Sequence, residues 1–319
     1  MSDIRFGDEI VCRARNLTFD FNKTVETSEP GLAKGGLTMK VLVAVDKNPE
    51  TYTGLEFTCH LLENRNAVVD AIHVKPDLAE IAAESYAPFL SKDGLEGAIK
   101  ADVQEVERQF DVACQSCIKA KIPCQLEVLE GDPADEILNT AKSDGYDMIV
   151  LGSHEQSSLR GLLLGAVHAK ILHNAEQPVL IVRQFREIHR VLIVYRGSET
   201  DQMALEFTAP LLTGKNAEIT LLHVQETGQH ESDEFARQSL QQGAQILRKF
   251  DFEPITKMTK GDFVEQILKD VAVHRYDLIV LGAYGYRRPK YLKLISDEAL
   301  NLARLTTRPI LVFRDKSTF

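Results

Sequence analysis

The chain has 319 residues, 44% of them hydrophobic and 26% charged, with a net charge of −10, an ordinary composition for about two globular domains. The acidic balance argues against a general affinity for nucleic acid or an anionic membrane, and no apolar run approaches the ~20 residues needed to span a bilayer. Five cysteines, Cys12, Cys59, Cys114, Cys117 and Cys124, are too few for a disulfide framework in so long a chain, so reduced thiols and a cytoplasmic setting are expected.

Residues 1–38 form an N-terminal extension. Its opening, MSDIRFGDEIVCRARNL, lacks the basic-then-apolar pattern of a signal peptide. LTFDF (17–21) alternates like a half-buried strand, and PGLAKGG (30–36) reads as a connector. An added edge strand, a partner-docking arm and a tail without fixed structure all fit this segment.

From residue 39 onward, short β-branched runs alternate with helical patterns. KVLVAVDKN (40–48) and AIHV (71–74) read as two strands, followed by the segment 77–96, a surface excursion with a helical first half, placed to cover the carboxyl edge of a sheet. Residues 101–120 read as a helix. EGDPADEIL (130–138) ends a third strand and begins a helix, with Asp132 as N-cap and Pro133 in the first turn. YDMIVLGSH (146–154) and PVLIV (178–182) supply two more strands.

The same order then recurs. RVLIVYRGS (190–198) and LLHV (221–224) repeat the first two strands at an offset of 150 (190 against 40). KGDFVEQIL (260–268) and YDLIVLGAY (276–284) repeat the next two at an offset of 130 (260 against 130). Copy one therefore carries 20 additional residues (150 − 130) between its second and third strands. PILVF (309–313) repeats the last strand, and Asp262 with Glu265 resembles a capping box.

A β-α repeat with nearly all-apolar strands implies a parallel sheet buried on both faces by right-handed crossovers. The expected fold is α/β: two tandem doubly wound domains, 39–183 and 189–315, each a five-stranded parallel sheet in the order 3-2-1-4-5 flanked by helices.

Ligands of such sheets sit beyond the carboxyl ends of the strands, at the point where strand order reverses. In copy one that point carries Asp46 at the end of the first strand and Gly152 at the end of the fourth. A carboxylate there suits ribose hydroxyls. The helix starting after Gly165 directs N–H groups and a positive dipole end toward a phosphate.

These residues make the chain similar to a tandem universal stress protein, of the adenine-nucleotide-binding α-hydrolase-like superfamily, over roughly 39–314. The family motif is G-x-x-G, nine residues, then G and Ser or Thr. Copy one aligns as Gly152, Glu155, QSSLRGLLL (156–164), Gly165 and Ala166; copy two aligns as Gly282, Gly285, YRRPKYLKL (286–294), Ile295 and Ser296. The family's aspartate and valine at the ends of the first two strands correspond to Asp46 and Val74 in copy one. Copy two keeps Val224 but has Arg196 in place of the aspartate.

The resemblance implies a nucleotide site formed by Asp46, Val74, Gly152, Ser153, His154, Gly165 and Ala166. It implies a degenerate second site at Val224, Gly282, Gly285 and Ser296. The cofactor is ATP or another adenine nucleotide, with or without Mg²⁺. The two domains are expected to pair through PVLIV and PILVF, with two chains associating further as a homodimer. The expected role is stress response or regulation through nucleotide-dependent association. The alternative is a dimeric scaffold that binds no nucleotide.

A slow ATPase ranks last, since no general base, catalytic triad or G-x-x-x-x-G-K-[ST] loop is present. Cys114-x-x-Cys117 lacks the second ligand pair of a metal site. His73 and His223, at equivalent strand positions, are expected to serve the scaffold. No nucleic-acid or membrane partner is expected.

Overall fold

The computed structural model describes residues 38–77, 92–152, 164–226, 231–283 and 295–314. In copy one the strands are β1 (Met39–Ala44), β2 (Ala67–Lys75), β3 (Cys124–Glu130), β4 (Met148–Gly152) and β5 (Val179–Val182). The helices between them are α1 (Thr53–Leu61), α2 (Lys92–Lys119), α3 (Pro133–Ser143) and α4 (Ala166–Asn174). Copy two repeats the pattern as β6 (Arg190–Val194), α5 (Glu199–Leu212), β7 (Glu218–Glu226), α6 (Asp233–Arg248), β8 (Ile255–Gly261), α7 (Phe263–His274), β9 (Leu278–Gly282), α8 (Asp297–Leu305) and β10 (Ile310–Phe313).

The ten strands form one sheet in the order β3-β2-β1-β4-β5-β10-β9-β6-β7-β8. Each half keeps the 3-2-1-4-5 order with parallel pairing, and the halves meet where β5 and β10 run antiparallel, with Leu180 opposite Leu311. β1, β4, β5 and β9 are apolar almost throughout because helices cover both faces. One face packs against α1, α2, α5 and α6 through Leu55, Phe110, Leu205 and Leu247. The other packs against α3, α4, α7 and α8 through Ile137, Leu172, Ile267 and Leu302. Both cores run unbroken across the junction.

Reciprocal cations hold the junction together. Arg183, just after β5, is buried and donates to the Ala303 carbonyl in α8 at 3.0 Å. Arg314, just after β10, is buried and donates to the Leu172 and His173 carbonyls of α4 at 2.9 and 3.0 Å. Arg65 likewise reaches the Thr213 carbonyl, and Lys215 the His60 carbonyl. In each case a cation from one copy meets carbonyls at the carboxyl end of a helix of the other, where backbone acceptors and the helix dipole favour positive charge.

Two sequence expectations change. α2 begins at Lys92, so the end of the 77–96 segment is already helical; Gly94 and Gly97 lower helix propensity enough to mask its start. Residues 78–91 and 1–37 lie outside the described residues. The thiols of copy one are not all reduced: Cys59 on α1 and Cys117 on α2 are joined by a disulfide. Helix packing brings together cysteines 58 positions apart, which no local spacing reveals. Cys124 remains a buried free thiol, its pKa pushed up by desolvation.

Candidate functional site

At the carboxyl edge of copy one, β1 runs into a tight turn. Asp46 is half-buried, and its Oδ1 accepts from the Asn48 backbone N–H at 2.7 Å and from Asn48 Nδ2 at 3.0 Å. The Thr51 hydroxyl receives the Asp46 backbone N–H at 3.1 Å. The turn leads through a short 3-10 segment, Pro49–Tyr52, into α1. Burial raises the Tyr52 hydroxyl's pKa, with the Asp46 charge adding to the effect. That hydroxyl donates to the Val106 carbonyl of α2 at 2.9 Å.

Gly152 closes β4 directly against this turn. A Cβ at Gly152 would sit 2.2 Å from the Thr51 carbonyl oxygen, so the chain itself demands glycine there. Its own carbonyl accepts from His168 Nε2 at 2.9 Å, which places a proton on that nitrogen. His168 lies in the first turn of α4, and sequence reasoning missed its part in joining β4 to that helix.

Gly165 is different. It is exposed, its backbone is extended, and a Cβ would meet nothing closer than His168 Nδ1 at 3.7 Å. It precedes α4 as an N-cap that offers no side-chain hydrogen bond, and no acid occupies the first turn. Ala166 is exposed beside it. Lys170, one turn further, pairs with Asp135 at 2.7 Å and Asp132 at 3.1 Å. The Asp135 backbone N–H, then Lys170, hold the Asp132 carboxyl below its usual range, as expected of a helix cap. Val74 is buried in the core at the end of β2. Ser153, His154 and Glu155 lie outside the described residues.

Copy two places other side chains on the same backbone. Arg196, at the Asp46 position, is 6% exposed. Its backbone N–H donates to Asp201 Oδ2 at 3.0 Å, reproducing the Asp46–Thr51 hydrogen bond with an acid as acceptor. Its guanidinium turns back over the sheet edge, donating from Nη2 to the Gly282 carbonyl at 3.2 Å and lying 4.8 Å above the Phe263 ring. Thus His168 in copy one and Arg196 in copy two answer the equivalent carbonyl from different elements.

The helix start is also occupied. Ile295 is buried in the core, and Ser296 is buried while accepting from the Ala299 N–H at 3.1 Å. Asp297 and Glu298 fill the first turn of α8. Val224 is buried in the core, a Cβ at Gly282 would lie 2.6 Å from Asp201 Oδ1, and Gly285 lies outside the described residues. The equivalent histidines differ as well. His73 Nδ1 meets the Val45 carbonyl at 3.1 Å, whereas His223 Nε2 meets Glu231 Oε1 at 2.8 Å. Among the described residues no group of three or more His, Cys, Asp or Glu side chains is arranged to hold a metal, and no helix is long and apolar enough to cross a membrane.

Residues 38–183 and 187–314 each match the universal stress protein family. Universal stress protein Slr1230 of Synechocystis is 30% identical over 182 residues, covering 56% of this chain and 61% of that protein. Universal stress protein YxiE of Bacillus subtilis is 28% identical over 148 residues, covering 45% of this chain and 98% of that one. The crystal structure of a universal stress protein from Archaeoglobus fulgidus has the same fold, with a TM-score of 0.66 and 19% identity across 86% of this chain and 98% of that one. With both halves matching one family and forming one sheet, the chain belongs to the universal stress protein family as two tandem domains.

Proposed function

We propose that domain one binds an adenine nucleotide, that domain two is closed to it, and that occupancy regulates association with a partner during stress. The observation that carries this reading is the start of α4, where the described residues offer an exposed glycine in extended conformation, no capping side chain and no acid in the first turn. A helix start of this kind suits a phosphate. Gly165 and Ala166 would receive the phosphates through their backbone, and Asp46 and Val74 would flank the nucleoside. Gly152 serves the scaffold through its contact with Thr51, whatever it offers a ligand. Calorimetric titration of the full chain with ATP and ADP, with and without Mg²⁺, is expected to give one site per chain. Absence of heat at millimolar nucleotide would sink the proposal.

The second reading is a scaffold that binds no nucleotide. The Thr51 contact favours it, because that contact alone accounts for one of the motif glycines. Denaturing the purified protein and analysing the released small molecules by mass spectrometry separates the readings, since only the first expects an adenine nucleotide.

A further inference from the structure

We infer that the Cys59–Cys117 disulfide is a redox site that sets the shape of the nucleotide-facing turn of domain one; the affinity effect rests on the nucleotide reading above. The bond joins α1 to α2 inside the core, with Cys59 1% and Cys117 0% exposed. α1 follows directly from the 46–52 turn, so a bond to α1 fixes one end of that turn.

α2 holds the same turn from the other side. Gln109 Nε2 donates to the Lys47 carbonyl at 2.8 Å, the Tyr52 hydroxyl donates to the Val106 carbonyl at 2.9 Å, and Lys47 pairs with Asp102 at 2.8 Å. Gln109 and Tyr52 are buried, and the Tyr52–Val106 bond is shielded from water. Asp46 lies between the strand and these contacts. Any shift of α2 relative to α1 is therefore passed to the backbone around Asp46. Copy two, whose edge is filled by its own side chains, has Ala209 and Leu247 at the equivalent positions. The bond is thus present in the copy with the open helix start and impossible in the other.

The chemistry is thiol–disulfide exchange with small-molecule thiols. One thiolate attacks a sulfur of the bond and forms a mixed disulfide, releasing the other cysteine as a thiol after protonation. A second thiolate then attacks the mixed disulfide. Cys59 and Cys117 gain two electrons and two protons, and the two small thiols leave joined as their disulfide. Re-oxidation by such a disulfide reverses each step. Because both sulfurs are buried, exchange proceeds through local opening of α2 and is slow.

The test uses the full chain treated with oxidised glutathione or with dithiothreitol. Alkylation and mass spectrometry are expected to find Cys59 and Cys117 joined in the first state and both alkylated in the second. ADP affinity is expected to fall about fivefold or more on reduction, as for a coupling between distinct sites. The triple variant Cys59→Ala/Cys114→Ala/Cys117→Leu also removes Cys114, which is itself disulfide-bonded, and takes the residues copy two already accommodates. It is expected to bind ADP as the reduced protein does, with no response to either reagent. Equal ADP affinity in the two states overturns the inference, as does failure of the cysteines to join. If ADP binds in neither state, the nucleotide reading fails on its own. The redox coupling is then read from hydrogen exchange, and equal protection of residues 46–52 in both states overturns it.

Discussion

The two domains share one backbone and differ in what they place at its carboxyl edge. In domain one an acid ends the first strand and a hydroxyl follows five residues later; in domain two a cation ends the strand and the acid has moved to the later position. The backbone hydrogen bond survives the exchange. The freed cation then turns inward over Phe263 and onto the Gly282 carbonyl. The carboxyl edge of the second sheet half is thus filled by its own side chains, with strand order and register intact. The comparison also separates two kinds of glycine: Gly152 and Gly282 have close intramolecular contacts, whereas Gly165 has space around it.

The largest test of this contrast is alanine at the strand-end glycines. Gly152→Ala pushes a methyl group into the Thr51 backbone and is expected to cost ~3 kcal/mol in denaturant unfolding. Gly282→Ala meets a carboxylate oxygen instead, and ~1 kcal/mol is expected. Equal costs would mean that the two edges are packed alike.

The helix starts provide a smaller test. Ser296→Ala removes a buried cap and is expected to destabilise by ~1–2 kcal/mol. Gly165→Ser adds a hydroxyl where no cap exists, so it is expected to shift stability by only a few tenths of a kcal/mol while weakening nucleotide binding. Similar thermal shifts for both variants would remove the distinction between an internally capped start and a bare one.

The smallest expected effect lies in the layer of domain one that Thr220 occupies in domain two. Asp70 is buried, and desolvation raises its pKa although the Tyr146 hydroxyl, 2.8 Å away, opposes the shift. A carboxyl with a raised folded-state pKa favours folding most when protonated, so its contribution is lost as pH rises through that value. Asp70→Asn is therefore expected to gain stability relative to the parent as pH rises from the ordinary carboxyl range, about pH 4, toward neutrality. A denaturant midpoint difference that stays flat across this range would contradict the assignment.

The fold was legible because most strands are apolar runs repeated at fixed offsets, and Asp132 and Asp262 cap the helices that follow β3 and β8. Asp262 accepts from the Glu265 N–H, the cap half of the expected box. The edge was only partly legible. Sequence alignment finds that Arg196 replaces an aspartate, but not that its side chain folds back onto Gly282, since that depends on the neighbouring Phe263. Thr51 and Asp201 stand at the same offset of 150, so their shared role could have been found by comparing the copies. His168 and the Cys59–Cys117 bond gave no such signal, because each joins elements that only packing brings together.

The antiparallel β5–β10 seam governs how the copies meet. Those strands hydrogen-bond to each other within one chain, leaving β3 and β8 as the outer strands of the sheet. Covalent linkage gives each copy a high effective concentration of the other, so the seam brings a domain-one type together with a domain-two type. Every molecule therefore carries one edge of each kind, in a ratio fixed by the chain itself.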